Sequence, residues 1–245
     1  MSRILLLDLD HTLYPSTAPT LDAVDARITH FIETTLQIPL GEADRLRQSL
    51  CAKYGTTLRG LEELHGVSRE VYTSFIQDLE DHLMPPEDLQ IREWLITAAK
   101  HLPTYLFTNA RRDWADRCLT HIGIADLLVA DPDVTSVLRG ILDIDFMEWV
   151  GKPDASAFAK VENFLLEKHP STSNGKNAGN HTELIFADDR LDNVEGARAR
   201  GWRTIWVRPH TVGQSAEGAA VTAIARASGH RVVDSLLEIN PETLE

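Results

Sequence analysis

Apolar positions recur along this chain with two periods, and the points where the period changes outline its architecture. In Arg3-Ile4-Leu5-Leu6-Leu7 the run from Ile4 is unbroken, as in a short strand buried on both faces of a parallel sheet. It carries two carboxylates to its end, Asp8 and Asp10, before Thr12 and Pro15 stop the strand. Side chains alternate along a strand, so these two acids are expected to point the same way. Behind Pro15 the period becomes helical, with Leu21, Val24, Ile28, Phe31, Ile32 and Leu36 on one face. Further helices are expected around Leu46, Leu50 and Tyr54, around Leu58, Leu61 and Leu64, and around Val71, Phe75, Ile76 and Leu79, until Pro85-Pro86 ends the series. Residues 15–86 thus read as a helical insertion directly behind the first strand.

From Glu87 helix and strand alternate, which indicates an α/β fold with a parallel sheet wound on both faces. A helix holds Leu89, Trp94, Leu95 and Ala98; the strand Tyr105-Leu106-Phe107 opens into Thr108-Asn109-Ala110; a helix over 112–121 follows. The segment 127–145, broken by Asp131-Pro132 and Gly140, receives no assignment. Gly151-Lys152-Pro153-Asp154 is expected to open the next helix, with Pro153 in its first turn and Ala155, Phe158, Val161 and Leu165 as its buried stripe. The Ser-, Asn- and Gly-rich stretch 170–181 reads as a surface loop. Leu184-Ile185-Phe186-Ala187 is a strand running into Asp188-Asp189, its helix stops at Gly201, and Thr204-Ile205-Trp206-Val207 is the last strand. The tail, small-residue 216–228 and amphipathic 232–239, is expected to pack outside.

Composition narrows the function classes. With 245 residues, 43% of them hydrophobic, the chain can build a substantial core. Twenty-four Lys and Arg against 37 Asp and Glu leave a formal charge of −13, which opposes a nucleic-acid polymer or an anionic membrane as partner. An anionic substrate must therefore meet a local positive site. Cys51 and Cys118 form no disulfide or zinc pattern, read as small core residues, and suit a reducing cytoplasm. The N-terminal apolar run is too short for a signal peptide, and no stretch approaches the ~20 apolar residues of a membrane span, so a soluble protein is expected.

In doubly wound sheets, ligands bind beyond the carboxyl ends of strands. Asp8/Asp10, Thr108/Asn109 and Asp188/Asp189 all follow apolar strands, and Lys152 sits before a helix. Each has an ordinary role as well: solvated carboxylates, a helix cap, a surface lysine, an acidic first turn. Two carboxylates as close as Asp8 and Asp10, however, ionise together cheaply only around a cation, or else one keeps its proton. Together the four stretches supply what phosphoryl transfer needs: carboxylates for a metal, a nucleophile, a cation, and hydroxyl and amide donors for phosphate oxygens.

The order Asp8-x-Asp10-x-Thr12, Thr108-Asn109, Lys152-Pro153 and Asp188-Asp189-x-x-x-Asn193 resembles the four motifs of the haloacid dehalogenase-like hydrolase superfamily, in its phosphatase branch. The resemblance implies a Rossmann-like catalytic core, residues 1–14 and 87–245, with an inserted α-helical cap, residues 15–86. It implies Asp8 as the nucleophile that forms an aspartyl-phosphate, Asp10 as the general acid that later activates water, and Lys152 as the balancing cation. Thr108, Asn109 and the Ala110 backbone N–H, with Lys152, would hold the phosphoryl group. Asp8, Asp10, Asp188 and Asp189 would surround magnesium, with Asp189 as the main ligand of the last motif, Asp188 a second or water-mediated one, and Asn193 supporting them.

A closer likeness is to pyrimidine 5′-nucleotidase-like members. Asp8-Leu9-Asp10-His11-Thr12-Leu13-Tyr14-Pro15 is similar to their opening, with His11 where Asn is usual, and Tyr54-Gly55-Thr56-Thr57-Leu58-Arg59-Gly60-Leu61 to their cap segment. That implies a small phosphorylated metabolite, a pyrimidine nucleotide such as UMP or CMP, read by Tyr54, Thr56, Thr57 and Arg59. The plain alternative for those four is a capped helix junction with Tyr54 as core. A sugar-phosphate phosphatase or phosphomutase would share the core motifs. A phosphorylation-controlled receiver module would lack Asp10 and the inserted helices, and halide cleavage does not use an acid at the Asp10 position.

Overall fold

In the computed structural model, which describes residues 2–76, 79–128, 137–170 and 182–244, β1 (Arg3–Leu7) runs through the middle of a parallel sheet. Four helices follow it directly: α1 (Thr20–Leu36), α2 (Leu40–Tyr54), α3 (Thr57–His65) and α4 (Arg69–Ile76). The alternating part then runs α5 (Leu89–Ala99), β2 (Thr104–Phe107), α6 (Arg112–Ile122), β3 (Leu138–Leu142), α7 (Ala155–Lys168), β4 (Glu183–Asp188), α8 (Leu191–Ala199) and β5 (Arg203–Val207). It ends with α9 (His210–Gly213), α10 (Ala216–Ala227) and β6 (Arg231–Val233). The six strands are parallel in the order β3-β2-β1-β4-β5-β6, a Rossmann-like sheet with a helical cap inserted behind its first strand.

The unbroken apolar runs follow from burial on both faces. Along β1, Leu5 and Leu7 enter one core layer and Ile4 and Leu6 the other; along β4, Ile185 and Ala187 divide from Leu184 and Phe186 in the same way. The inserted helices have a core of their own, where Phe31, Ile32, Leu50, Leu61 and Tyr72 meet.

Several expectations are corrected. β1 ends at Leu7, and the N–H groups of Thr12 and Leu13 both donate to the carbonyl of Leu9, at 3.3 and 3.0 Å, so Asp10 sits in a turn and not two places along the strand. Buried Leu9 and Leu13 draw that turn into the core. Leu64 and Val71 are exposed, and Leu79 lies beyond α4 in the sheet's core, because α3 and α4 present Leu61 and Tyr72 to their neighbours. Asp154 caps α7 by accepting from the Ser156 N–H at 2.9 Å, which leaves Lys152 and Pro153 in the preceding turn, joined by a cis peptide bond.

Two strands escaped the periodicity. β3 lies within 127–145; its register against β2 shifts by one residue, Thr104 pairing with Leu138 but Leu106 with Ile141, and this irregularity spans Gly140. Residues 129–136, and 171–181 of the polar loop, lie outside the described residues. The tail packs inside: β6 extends the sheet, Val233, Leu236, Ile239 and Leu244 join the core layer of Leu5, and Trp94 Nε1 donates to the Ile239 carbonyl at 2.8 Å. A three-residue strand is too short for its alternation to be distinguished from a helical face.

This arrangement makes the tail part of the stability of the sheet. Leu236→Ala should lower unfolding free energy by about 2–5 kcal/mol, the range for truncating a fully buried leucine. Ile224→Ala on the exposed face of α10 should change it by no more than about 0.5 kcal/mol. Denaturant midpoints compare the two, and equal small effects would contradict a buried tail.

Candidate active site

Lys152 is 1% exposed, and its ammonium donates three hydrogen bonds: to Asp8 Oδ1 at 2.8 Å, to Asp188 Oδ2 at 2.6 Å and to the Phe107 carbonyl at 2.7 Å. All three of its protons are thereby used. Asn109 holds the lysine backbone from both sides, its Oδ1 accepting from the Lys152 N–H and its Nδ2 donating to the Lys152 carbonyl, each at 2.8 Å. Gly151 permits this approach, since a Cβ there would lie 2.6 Å from Asn109 Oδ1. Burial opposes the lysine's charge, but Asp188 and Asp8 outweigh it and raise its pKa.

One lysine faces three acids. Burial pushes Asp8 up to about 6 against the pull of Lys152, with Asp189 and Asp10 adding repulsion. Asp188 is likewise raised to about 6 by burial, opposed by Lys152 and reinforced by Asp8. Asp189 is raised by burial, against its contact with His11, whose Nδ1 lies 3.7 Å from Asp189 Oδ2. One oxygen each from Asp8, Asp188 and Asp189 falls within 4.8 Å of the others. Three hard oxygen donors carrying more negative charge than one ammonium neutralises fit a divalent cation of the magnesium type. Asp188 is the most constrained, with the Arg190 N–H donating to Oδ1 at 2.8 Å and Asn193 Nδ2 lying 3.0 Å from both oxygens. The backbone of Asp189 is fixed by Trp206 Nε1, which donates to its carbonyl at 2.8 Å.

Asp10, expected with these acids, has its carboxylate elsewhere: Oδ1 accepts from Tyr14 OH at 2.6 Å and from Trp114 Nε1 at 3.1 Å. Burial and the adjacent Asp10 hold the Tyr14 phenol well above its usual pKa, so it stays a donor. Thr108 is buried, and its Oγ1 accepts from the Ala110 N–H at 3.0 Å, so that donor is engaged within its own turn.

Asp8, Asp10, Thr108, Asn109, Lys152 and Asp189 line the sheet end of a cavity of about 320 Å³ whose other wall comes from the inserted helices. Of the four residues expected to read a base, Thr56 and Thr57 line the cavity, whereas Tyr54 and Arg59 do not. Thr56 Oγ1 caps α3 by accepting from the Arg59 N–H at 3.3 Å, and Thr57 Oγ1 donates to the Arg47 carbonyl at 3.4 Å. Tyr54 packs beside Gly60 with Lys53 4.8 Å above its ring, and Arg59 reaches toward Asp154 at 3.9 Å. The segment also joins insertion to core: Gly55 has φ +80°, and a Cβ on it would stand 3.1 Å from the Lys152 carbonyl.

Periodicity did not single out Asp25, Arg47, Tyr72, Trp149 or Arg190 for this cavity, all of which line it. On their own helices Asp25 and Arg47 are ordinary polar positions, and only the packing of α1 against α2 makes them a pair. Arg190 carried a signal, following the Asp188-Asp189 pair directly; its Nη1 lies 3.5 Å from Cys51 Sγ. Cys51 is thus a half-buried wall residue, while Cys118 is buried as expected.

No protein-family model matches the chain. Over 210 residues it is 30% identical to Phosphate metabolism protein 8 of Saccharomyces cerevisiae, a match covering 81% of this chain and 59% of that protein. The chain therefore spans less than two thirds of that relative's length. Among solved structures, a dehalogenase superposes over 100% of this chain and 98% of its own with a TM-score of 0.51 and 15% identity. A HAD phosphatase from Thermococcus onnurineus covers 95% of this chain and 100% of its own, with a TM-score of 0.49 and 15% identity. At 15% identity the first of these is a likeness of fold. No helix among the described residues is long and apolar enough to cross a membrane.

The buried acids make stability depend on pH and cation together. A carboxyl whose folded pKa lies above its unfolded value stabilises the fold below the unfolded value and loses that contribution as pH rises through the folded one. For Asp8 and Asp188 that window runs from 3.8 to about 6. In chelator the melting temperature should fall as pH is raised from about 5 to about 7.5, and magnesium should raise it more at the higher pH. A magnesium effect of equal size at both pH values would show that the cation does not bind these acids.

Proposed function

We infer that this chain, a haloacid dehalogenase-like hydrolase by its fold and its four motifs, is a magnesium-dependent phosphomonoesterase acting through an aspartyl-phosphate. The observation that carries this reading is the group of Asp8, Asp188 and Asp189, one oxygen of each within 4.8 Å of the others, beside the Lys152 ammonium. A phosphate dianion approaching three carboxylates needs compensating charge. Bound between those acids, the cation would supply it and neutralise the phosphoryl oxygens.

In this reading an Asp8 oxygen bonds to phosphorus as the ester P–O bond breaks, and the leaving oxygen takes a proton from Asp10. Asp10 then takes a proton from water, whose oxygen attacks the acyl phosphate, releasing phosphate and restoring Asp8. The donors Tyr14 and Trp114 hold the Asp10 carboxyl in place. Asn109 positions Lys152 through its backbone, and Lys152 orients Asp8. Thr108 and Asn109 at the cavity wall are the groups that would contact phosphoryl oxygens.

The substrate in this reading is a nucleoside 5′-monophosphate, of the pyrimidine series. The similarity of residues 54–61 to a nucleotidase cap segment supports it, as does a cavity large enough to hold more than phosphate. Residues 15–86 would then act as the cap over a core of 1–14 and 87–245. The relative's name, Phosphate metabolism protein 8, agrees with phosphate chemistry. Two cysteines without a disulfide suit work in the cytoplasm.

Phosphate release from a panel of phosphorylated metabolites tests the proposal. Turnover should require magnesium, and Asp8→Asn should reduce kcat/KM at least about a thousandfold, as expected when a nucleophile is removed. Asp10→Asn should lose most on alkyl esters and least on activated aryl esters, which need no proton on leaving. Activity that survives exhaustive chelation, or an active Asp8→Asn protein, would refute the mechanism.

A further inference from the structure

The insertion's side of the cavity carries an ion pair that the phosphoryl chemistry does not use. Arg47 Nη1 on α2 lies 2.7 Å from Asp25 Oδ2 on α1, and both residues line the cavity. On its other side Arg47 is held by Asp44, with Nε and Nη2 donating to Asp44 Oδ1 at 3.2 and 3.0 Å. These contacts commit three of the guanidinium's five N–H bonds and fix its plane, leaving two donors uncommitted among the described residues. The Arg47 side chain is only 15% exposed, while Asp25 keeps 48% of its surface open. The insertion's part of the cavity is largely apolar, with Leu21, Val24, Ile28, Ile76 and the ring of Tyr72 lining it beside Thr57 and Thr73.

A half-buried ion pair is a poor source of stability, because desolvation offsets its attraction. It is a good source of orientation, since a guanidinium beside a carboxylate presents a donor next to an acceptor on a rigid frame. The matching ligand group has an acceptor next to a donor. A largely apolar lining favours a flat ring over a hydroxylated sugar. A pyrimidine lactam, a ring carbonyl beside a ring N–H, has both properties.

Resting on the phosphomonoesterase reading above, we propose that Arg47 and Asp25 form the base-reading subsite of this enzyme. Arg47 donates to a ring carbonyl of a uracil-type pyrimidine 5′-nucleotide, and Asp25 accepts from the neighbouring ring N–H, which cytosine lacks. The subsite places recognition on α1 and α2, and leaves residues 54–61 as the joint between insertion and core.

The test compares UMP, N3-methyl-UMP, ribose 5-phosphate and phenyl phosphate, with kcat and KM measured separately. In the unaltered enzyme UMP should be preferred over N3-methyl-UMP and over ribose 5-phosphate, each by about tenfold or more, the effect of one hydrogen bond to a charged group. Arg47→Met and Asp25→Asn should each reduce the UMP to ribose 5-phosphate ratio of kcat/KM by about ten- to a hundredfold, mainly through KM. Arg45→Met, which removes an exposed guanidinium from the same helix outside the cavity, should leave that ratio within about threefold. If Arg47→Met fails to fold, the N3-methyl comparison and Asp25→Asn still decide. The subsite is refuted if N3-methylation is without effect, if neither variant changes the ratio, or if Arg45→Met changes it as much. Absence of phosphate release even from phenyl phosphate would refute the phosphatase reading itself, whereas efficient but unselective release would refute the subsite alone.

Discussion

The structure depends on one buried ammonium. Lys152 bonds to Asp8, which follows β1, to the carbonyl of Phe107 at the end of β2, and to Asp188 at the end of β4. In the sheet these are three adjacent strands, β2-β1-β4, so one side chain ties their carboxyl ends together. Removing the ammonium would leave two carboxylates buried without a counter-charge, a far larger penalty than the loss of three ordinary hydrogen bonds. The rings of Phe107 and Phe186, centred 4.9 and 5.1 Å from the ammonium, close off water beneath it.

That constraint explains much of the surrounding detail. Lys152 comes from no strand or helix, so its position is set by Asn109 bonding to both sides of its backbone, by Gly151 making room for Asn109, and by Asp154 starting α7 immediately afterwards. Gly55 brings the inserted helices against the same backbone. The insertion is thereby registered on the site itself.

Charge follows the same logic. The chain carries an excess of acid, with a formal charge of −13, and the site concentrates three carboxylates around one lysine instead of offering a basic patch. At that point an anion is repelled unless a cation lies among the carboxylates, as a divalent metal ion would. The raised pKa values of Asp8 and Asp188 express the cost of burying these acids without one.

The sequence by itself determined the fold class and the placing of the chemistry on strand ends. Unbroken apolar runs at 4–7, 105–107, 184–187 and 205–207 are best satisfied by burial on both faces, and the residues that follow them emerge at the same edge of a parallel sheet. It also marked the inserted helices, whose stripes repeat over several turns. Short elements were beyond it: β3 is interrupted by Gly140, and β6 has three residues, fewer than a period needs to declare itself. Tertiary structure alone decided that Asp8, Asp188 and Asp189 meet while the Asp10 carboxylate turns to Tyr14 and Trp114, because a tight turn after Leu7 breaks strand alternation. It alone decided that Arg47 and Asp25, not Tyr54 and Arg59, face the cavity, since a helix period reports which side of a helix is buried but not which neighbouring helix will cover it.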